Sequence, residues 1–419
     1  MRKLLTLAVC LTVFGCAGVV KKTTMPELIR AGFTPDEKEA IVTQGFVFVE
    51  MMRLISREAL DKPANLADCA REMFAMRNTG KCRDQFTNYL SPKEVKEFDV
   101  GMSGKFGGVG MQLEVKDKKI VVIPMPGTPA ERAGVKSGDV ILSVDGKKPK
   151  DAQEAMLLIR GQPGTPVKIL FYRESAKQEL ELTLVREIIK IQSVKWRVSK
   201  TDPKVGIIRI ITFDQQVPRD FFAAANELMA KGCEALVIDL RDNLGGLLHA
   251  AQIPLTLFMR PEDTMLTIRH RDNEEVADSH NFPPPQEAKD FRRMKIVVLI
   301  NSGSASASEI FAGTMKDWGY PIVGEKSYGK GVGQKGFNLS DGSRLVLTTF
   351  EFLVGNGRVV IRDKGITPTV EVKQPKKKDS GPEKDESAEG DDLQLQKALE
   401  VLRACGQKDA VPAIKCARD

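Results

Sequence analysis

The sequence predicts a multidomain α/β (α+β) protein, in which a helical N-terminal segment and a β-rich module precede an α/β core. Three patterns carry this prediction: helical spacing near the N-terminus, short β-segments separated by glycine turns, and then alternating apolar strands and amphipathic helices. With 419 residues the chain is long enough for two or three domains. We expect segment boundaries at 1–20, 25–95, 98–188, 189–373, 374–392 and 393–419.

The composition excludes several classes of protein. The chain is 42% hydrophobic and 28% charged, which is too apolar for a disordered protein and too charged for an integral membrane protein. The net charge is +7, and no basic stripe with interleaved aromatic residues is visible, so no nucleic-acid partner is expected. Only three histidines are present, which disfavours histidine metal sites. No metal and no cofactor is predicted.

Residues 1–20 have the pattern of an export signal, with a basic start, an apolar run and small residues. Val13-Phe14-Gly15-Cys16 resembles a bacterial lipoprotein processing site, in which Cys16 would carry the lipid. The alternative is an ordinary cleaved signal. The sequence therefore predicts a protein of the cell envelope or periplasm, held at the membrane by a lipid anchor if Cys16 is modified.

The remaining cysteines fit an oxidising compartment. Cys69 lies near Cys82 and Cys405 lies near Cys416, so two local disulfides are predicted, with free buried thiols as the alternative. Cys233 precedes an apolar strand and is interpreted as a small core residue.

The first two modules are read from helix caps and strand periodicity. Thr34-Pro35-Asp36-Glu37 predicts the start of a helix, and a second helix is expected over 64–76. In the β-rich module, Asp151 caps a predicted helix that ends at Arg160. The predicted strands are Met111–Val115, Ile120–Ile123, Val140–Val144, and a closing hairpin of Val167–Tyr172 and Glu179–Val185.

The core alternates strands and helices. Ala235–Leu240 and Lys295–Ile300 are apolar without polar alternation, as expected of strands covered on both faces of a sheet. A further strand (Val205–Ile211) and an amphipathic helix (Val217–Met229) precede them. Residues 374–392 lack large apolar side chains and predict a flexible linker, followed by a short helix from Leu393 to Leu402.

The segment Gly127–Gly146 strongly resembles the corresponding stretch of bacterial PDZ domains. The resemblance implies that the module binds protein C-termini by strand addition, with backbone amides holding the carboxylate. It places the carboxylate loop at Gly107, Gly108, Val109 and Gly110. Apolar side chains of the 151–160 helix would line a pocket for a nonpolar terminal residue, namely Ala155, Met156 and Ile159.

Three fragments of the core suggest chemistry. In Val298–Ile310 a buried strand leads through small residues into a helix near Glu309, so a serine there lies at a positive helix end that suits a nucleophile. Lys330 stands between glycines, and a desolvated lysine can act as a general base. Asp239–Leu247 ends in two glycines whose amides can form an oxyanion hole. The structural alternatives are a plain N-cap, an exposed cation and an ordinary turn.

Together with the PDZ-like module, these fragments resemble the C-terminal processing (tail-specific) serine peptidases over about residues 35–372. The resemblance implies a crotonase/ClpP-like core, and a Ser-Lys dyad of Ser306 and Lys330 supported by Gln334. It also implies oxyanion donors at Ala307 and at Gly245 or Gly246. The implied activity is endoproteolysis through an acyl-enzyme. The implied partners are protein substrates with nonpolar C-termini, while a regulatory partner protein and a homo-oligomeric state stay open.

The sequence departs from the family pattern at two places that matter below. Leu244 replaces the usual proline of the glycine turn, and the stretch Leu-Asp-Pro-His-Ser-x-Tyr is reduced to Arg83–Tyr89. Two other functions compete with the peptidase: a non-catalytic PDZ scaffold in the cell envelope, and a Ser-His-Asp hydrolase that uses His249 beside Asp239 or Asp242. The second lacks the Gly-x-Ser-x-Gly elbow.

Overall fold

The computed structural model describes most of the chain, namely residues 35–61, 63, 69, 84–116, 118–278, 280–283, 288–355, 359–374 and 389–405. The predicted export signal with Cys16, and the helix expected over 64–76 apart from Cys69, lie outside these residues. The chain divides into two compact units. One comprises residues 1–98, 194–213 and 217–419, and the other comprises residues 99–193 and 214–216.

The N-terminal part begins with helix α1 (Pro35–Glu58), which confirms the helix predicted to start there. Its buried residues Val47, Met51 and Ile55 recur every four positions, so they form one apolar face that belongs to the same core cluster as Leu345 and Leu347. Strand β1 (Asn88–Leu90) and helix α2 (Pro92–Ser103) follow.

The β-rich unit confirms the predicted strands and helices. Its elements are β2 (Lys105–Gly108), β3 (Met111–Lys116), β4 (Lys119–Pro124), α3 (Pro129–Arg132), β5 (Val140–Val144), α4 (Ala152–Ile159), β6 (Pro166–Arg173), β7 (Gln178–Val185) and β8 (Glu187–Lys190). Strands β3 to β7 form an antiparallel sheet in sequence order, and β2 pairs separately with β8. Strand β3 is therefore an edge strand within the described part of this sheet.

The core continues from the end of the β-rich unit. Its elements are β9 (Val194–Val198), β10 (Val205–Ile210), α5 (Val217–Ala230), β11 (Ala235–Asp239), α6 (Leu248–Leu255), β12 (Thr264–His270), β13 (Glu274–Asp278), α7 (Ala288–Arg293), β14 (Lys295–Ile300), α8 (Ala307–Asp317), β15 (Ile322–Gly324), β16 (Val332–Asn338), β17 (Arg344–Val354), β18 (Val359–Val360), β19 (Val370–Glu371) and α9 (Leu393–Ala404).

A six-stranded sheet in the order β19-β15-β14-β11-β10-β9 forms the centre of the core. All neighbouring strands are parallel except β9, which runs antiparallel to β10. Alternate side chains of β11, such as Leu236 and Val237, enter different apolar clusters on the two faces. This confirms the prediction that the strands are covered on both sides.

A second six-stranded sheet was not predicted from the sequence. It follows the order β1-β17-β12-β13, and β16 and β18 also pair with β17. Strand β17 is thus the centre to which the N-terminal strand β1 is attached, with Asn88 opposite Val346.

The C-terminal helix α9 covers one face of the parallel sheet, where Leu395, Leu399 and Leu402 pack in the cluster that includes Val237 and Leu299. The prediction of a flexible linker up to residue 392 is wrong at its end, because Glu389–Asp391 form a 3₁₀ turn. This turn is ordered because the buried Glu389 carboxylate binds Arg197 and accepts hydrogen bonds from Ser199 Oγ (2.9 Å) and Lys200 N (2.9 Å). Residues 375–388 lie outside the described part of the chain.

The cysteines follow the predicted division in part. Cys69 and Cys405 are disulfide-bonded, whereas Cys233 is free and buried. The predicted partners Cys82 and Cys416 lie outside the described residues, so the pairing itself stays a prediction. Within the described ranges, none of the helices has both the length and the apolarity needed to span a bilayer.

Candidate active site

The candidate site lies where three neighbouring parallel strands reach their carboxyl ends, which is the usual position for a site in such a sheet. Strand β10 leads to Phe213, β11 to the turn at 242–247, and β14 to the small residues 302–306. Direct hydrogen bonds join the last two segments: Ala305 N donates to Asn243 O (3.0 Å) and Ser304 Oγ donates to Leu240 O (2.8 Å). The serine and glycine fragments of the sequence therefore come together.

Ser306 is the N-cap of helix α8, two residues earlier than the helix start expected from the sequence. Its backbone has φ of +55° and ψ of −116°, a conformation that L-residues rarely adopt and that concentrates at functional sites. The side chain is half-buried, and the buried Ala307 follows as the first residue of the helix. The hydroxyl is thus held at the positive end of the helix dipole.

The glycine turn packs directly against Ser306. A Cβ at Gly245 would lie 2.8 Å from Ser306 Cβ and 2.9 Å from Ala307 N, and φ at this residue is +103°. Only glycine therefore fits here without displacing the serine. The turn is held from within by the fully buried Asn243, whose Oδ1 accepts from Gly245 N (2.9 Å) and whose Nδ2 donates to Ile210 O (2.8 Å).

A fully buried carboxylate, Glu309, joins the serine segment to the lysine segment. Its Oε2 accepts from Ser306 N (2.8 Å) and Lys330 N (2.8 Å), and its Oε1 accepts from Gly329 N (2.7 Å) and Ser327 Oγ (2.6 Å). Burial raises the pKa of Glu309 above its usual range, while these four donors favour the charged form. One side chain thus fixes the backbones of both Ser306 and Lys330.

Lys330 is half-buried in the loop before β16. Burial lowers the pKa of its ammonium group, and the carboxylates of Asp84 and Glu309 act in the opposite direction. The ring centre of Phe86 lies 4.8 Å from Lys330 Nζ. The environment therefore favours the neutral amine more than water does, which a general base requires.

Gln334 does not bind Lys330 among the contacts of the described structure. It lies in β16 beside a register shift, and its Nε2 donates to Thr348 Oγ1 at 3.0 Å. The sequence could not reveal this contact, because Thr348 comes from the neighbouring strand β17.

The arrangement required for a Ser-His-Asp hydrolase is not formed. His249 is exposed in α6. The Asp239 carboxylate is bound by the Arg241 guanidinium (Nε to Oδ1 2.9 Å), and Asp242 Oδ1 accepts from Asn301 Nδ2 (2.8 Å). Both candidate carboxylates are therefore engaged by other side chains.

In the β-rich unit, the predicted carboxylate loop begins inside a strand. Gly107 and Gly108 belong to β2, and Val109 and Gly110 follow it. Gly110 has φ of +75°, and a Cβ there would lie 2.3 Å from Thr128 Cβ, so glycine is required. The segment therefore leads directly into the edge strand β3.

The prediction for the apolar pocket needs a correction. Ala155 and Ile159 are buried in the core of the β-rich unit, because their spacing of four places them on the inner face of α4. Met156 is half-buried and is the one of the three predicted pocket residues that stays outside that core cluster.

Comparisons with known proteins agree with this architecture. Residues 204–372 match the model of peptidase family S41, and residues 107–184 match a PDZ domain model. The chain therefore belongs to the S41 family of C-terminal processing serine peptidases and carries a PDZ domain, as the sequence motifs predicted.

Two curated relatives illustrate the similarity. The carboxy-terminal processing protease CtpB of Bacillus subtilis is 34% identical over 323 residues, which cover 76% of this chain and 64% of that protein. A probable CtpA-like serine protease of Staphylococcus haemolyticus is 35% identical over 299 residues, covering 70% and 58%. The chain thus spans less than two thirds of the length of these relatives. Among solved structures, a photosystem II D1 C-terminal processing protease is 26% identical with a TM-score of 0.46, covering 88% of this chain and 98% of that one.

Sequence reasoning missed the residues that hold the site together. Glu309 lies three positions after Ser306, the Ser-x-x-Glu spacing of a capping box, so this signal was available. Asn243 and the turn that carries Asp84 and Phe86 had no such signal, since their partners lie far away in the sequence.

Proposed function

We propose that the protein is an exported serine endopeptidase that binds protein C-termini through its PDZ domain and cleaves peptide bonds with Ser306 and Lys330. The observation that carries this proposal is the Glu309 carboxylate, which binds the backbone amides of both residues and so holds nucleophile and base segments side by side. A mere surface lysine and a mere N-cap serine would not need this shared buried anchor.

In the proposed reaction, the neutral amine of Lys330 takes the proton from Ser306 Oγ, which attacks the scissile carbonyl carbon. The C–N bond then breaks, and the leaving amine receives the proton from the Lys330 ammonium. Water attacks the resulting ester with Lys330 again as base, and this releases the acid and restores Ser306. No step requires a metal or a cofactor.

The oxyanion would be stabilised by two backbone amides. Ala307 N lies at the start of α8, directly after the nucleophile. For the second donor Gly246 is the better candidate of the two glycines, because Gly245 N already donates to Asn243. Gly245 O and Leu247 N both bond Phe213. Because successive amides of an extended chain point in opposite directions, the Gly246 amide faces away from Phe213.

Substrate capture is assigned to the edge strand β3. An extended peptide can add to this strand by main-chain hydrogen bonds, with its carboxylate at the turn of Val109 and Gly110 and its last side chain near Met156. This geometry supports the proposal that nonpolar C-termini are bound.

The decisive experiment compares Ser306→Ala and Lys330→Ala with two exposed neighbours of the same type, Ser302→Ala and Lys326→Ala. Cleavage of a protein with a nonpolar C-terminal tail, and labelling by a serine-directed acylating probe, should be lost only in the first pair. Full cleavage by either member of that pair would refute the dyad. Folded but inactive protein throughout, wild type included, would favour the scaffold function.

Export and lipidation at Cys16 are part of the proposal and rest on the sequence pattern of residues 1–20. Cys16→Ser should move the protein from the membrane fraction to the soluble envelope fraction and abolish incorporation of a labelled fatty acid. Retention in the membrane fraction without label would contradict the lipid anchor.

A further inference from the structure

The turn at residues 84–87 belongs to a stretch to which the sequence assigned no role, yet the structure fixes it firmly. Asp84 Oδ1 accepts from Phe86 N (3.1 Å) and Thr87 N (2.7 Å), which closes an Asx-type turn. The buried Thr87 accepts from Thr348 N of β17 (3.2 Å), and β1 then pairs with the same strand. The turn is therefore positioned by the antiparallel sheet.

This turn presents an aromatic ring to the amine of Lys330. The ring centre of Phe86 lies 4.8 Å from Nζ, within the range of cation–π contacts. Both side chains are half-buried, so the ring also shields part of the amine from water. Asp84 and Glu309 are the carboxylates that act on this amine within the described residues.

We infer that the turn Asp84–Thr87 is a positioning element for Lys330, in which Phe86 covers and orients the amine and Asp84 supplies a balancing negative charge. This inference rests on the proposed role of Lys330 as general base. Neither Asp84 nor Phe86 is assigned contact with the substrate, so both act through the lysine.

The two residues shift the protonation equilibrium of Lys330 in opposite directions. Phe86 keeps water away, which disfavours the charged ammonium; the attraction of the ring for a cation, about 0.5–2 kcal/mol, offsets part of this. Asp84 favours the ammonium through its charge. Removal of the ring should therefore raise the pKa of Lys330 by admitting water, and removal of the charge should lower it.

The test is the dependence of kcat/KM on pH, whose acid limb reports the base of the free enzyme. In Phe86→Ala the acid limb should move to higher pH, and in Asp84→Asn it should move to lower pH. Asparagine retains the side-chain oxygen that closes the turn, so Asp84→Asn changes charge with little change in structure. Below the limb, each pH unit of displacement alters kcat/KM about tenfold.

Matched variants separate positioning from general destabilisation. Phe86→Leu keeps the apolar cover, so its limb should not move upward. Phe46→Ala and Asp272→Asn change an exposed phenylalanine and an exposed turn carboxylate, and their limbs should coincide with that of the wild type. If Phe86→Ala does not fold, Asp84→Asn and Phe86→Leu still decide the question.

Lys330→Ala is measured alongside. Activity in that variant would overturn the proposed dyad itself. Loss of activity there, with wild-type acid limbs in both Asp84→Asn and Phe86→Ala, would overturn the positioning role while leaving the dyad intact.

Discussion

The substitution Glu309→Gln isolates the anchor that joins the two halves of the candidate site. The glutamate accepts four hydrogen bonds without exposure to solvent, two at each oxygen. Glutamine has the same shape, but one oxygen becomes an NH₂ group that cannot accept. One pair of donors must therefore lose its acceptor.

The less costly orientation places the NH₂ group towards Ser327 and Gly329, because a hydroxyl can accept as well as donate. Ser327 Oγ already accepts from Ile366 N (2.6 Å), and Gly329 N is left without an acceptor. An orphaned buried donor costs about 1–3 kcal/mol, and a lost bond to a charged group about 1.5–3 kcal/mol. Relief of the buried charge offsets part of this, so we expect the free energy of unfolding to fall by about 2 kcal/mol.

For a unit of this size, about 2 kcal/mol corresponds to a Tm lowered by about 4–8 °C. A small displacement of Ser306 or Lys330 should also reduce kcat on the order of 10²-fold. Thermal unfolding and steady-state cleavage measure the two effects, with the half-buried neighbour Glu325→Gln as control. Wild-type Tm and kcat in Glu309→Gln would show that the four hydrogen bonds do not hold the site.

Three further outcomes are expected. Ser306→Gly should unfold with a free energy about 1 kcal/mol higher than Ser306→Ala, because glycine tolerates φ of +55°; equal denaturant midpoints would contradict the strain. Gly245→Ala should lower kcat about 10²-fold or more, since its Cβ would meet Ser306 and Ala307 N; cleavage at the wild-type rate would exclude this packing. Although burial opposes it, hydrogen bonds from Lys200 N, Arg197 and Ser199 lower the pKa of Glu389 from 4.5 to about 2. Because the folded pKa is depressed, this contributes about 3 kcal/mol above pH 4.5 that is lost towards pH 2. Hydrogen exchange should show α9 opening over that range in the wild type but not differentially in Glu389→Gln.

The fold could be predicted where local pattern and tertiary environment agree. The apolar runs of β11 and β14, the capped helix α4 and the glycine turns of the β-rich unit carry their own signals. The antiparallel sheet around β17 could not be predicted, because it pairs β1 with a strand more than 250 residues away in sequence and its register depends on those partners. The linker was misjudged at Glu389 because a charged residue predicts exposure unless its distant partners are known.

Ser306, Lys330 and the glycines at 245–246 could be singled out from the sequence alone, because each stands in a local context that has few structural explanations. Only the tertiary structure decided what holds them together. Hydrogen bonds to Glu309 and Asn243 and the contact between Phe86 and Lys330 join segments that are separate in the sequence. A periodicity or motif records the environment of one segment, whereas a buried donor's acceptor is determined by which segments the fold brings within about 3 Å of each other.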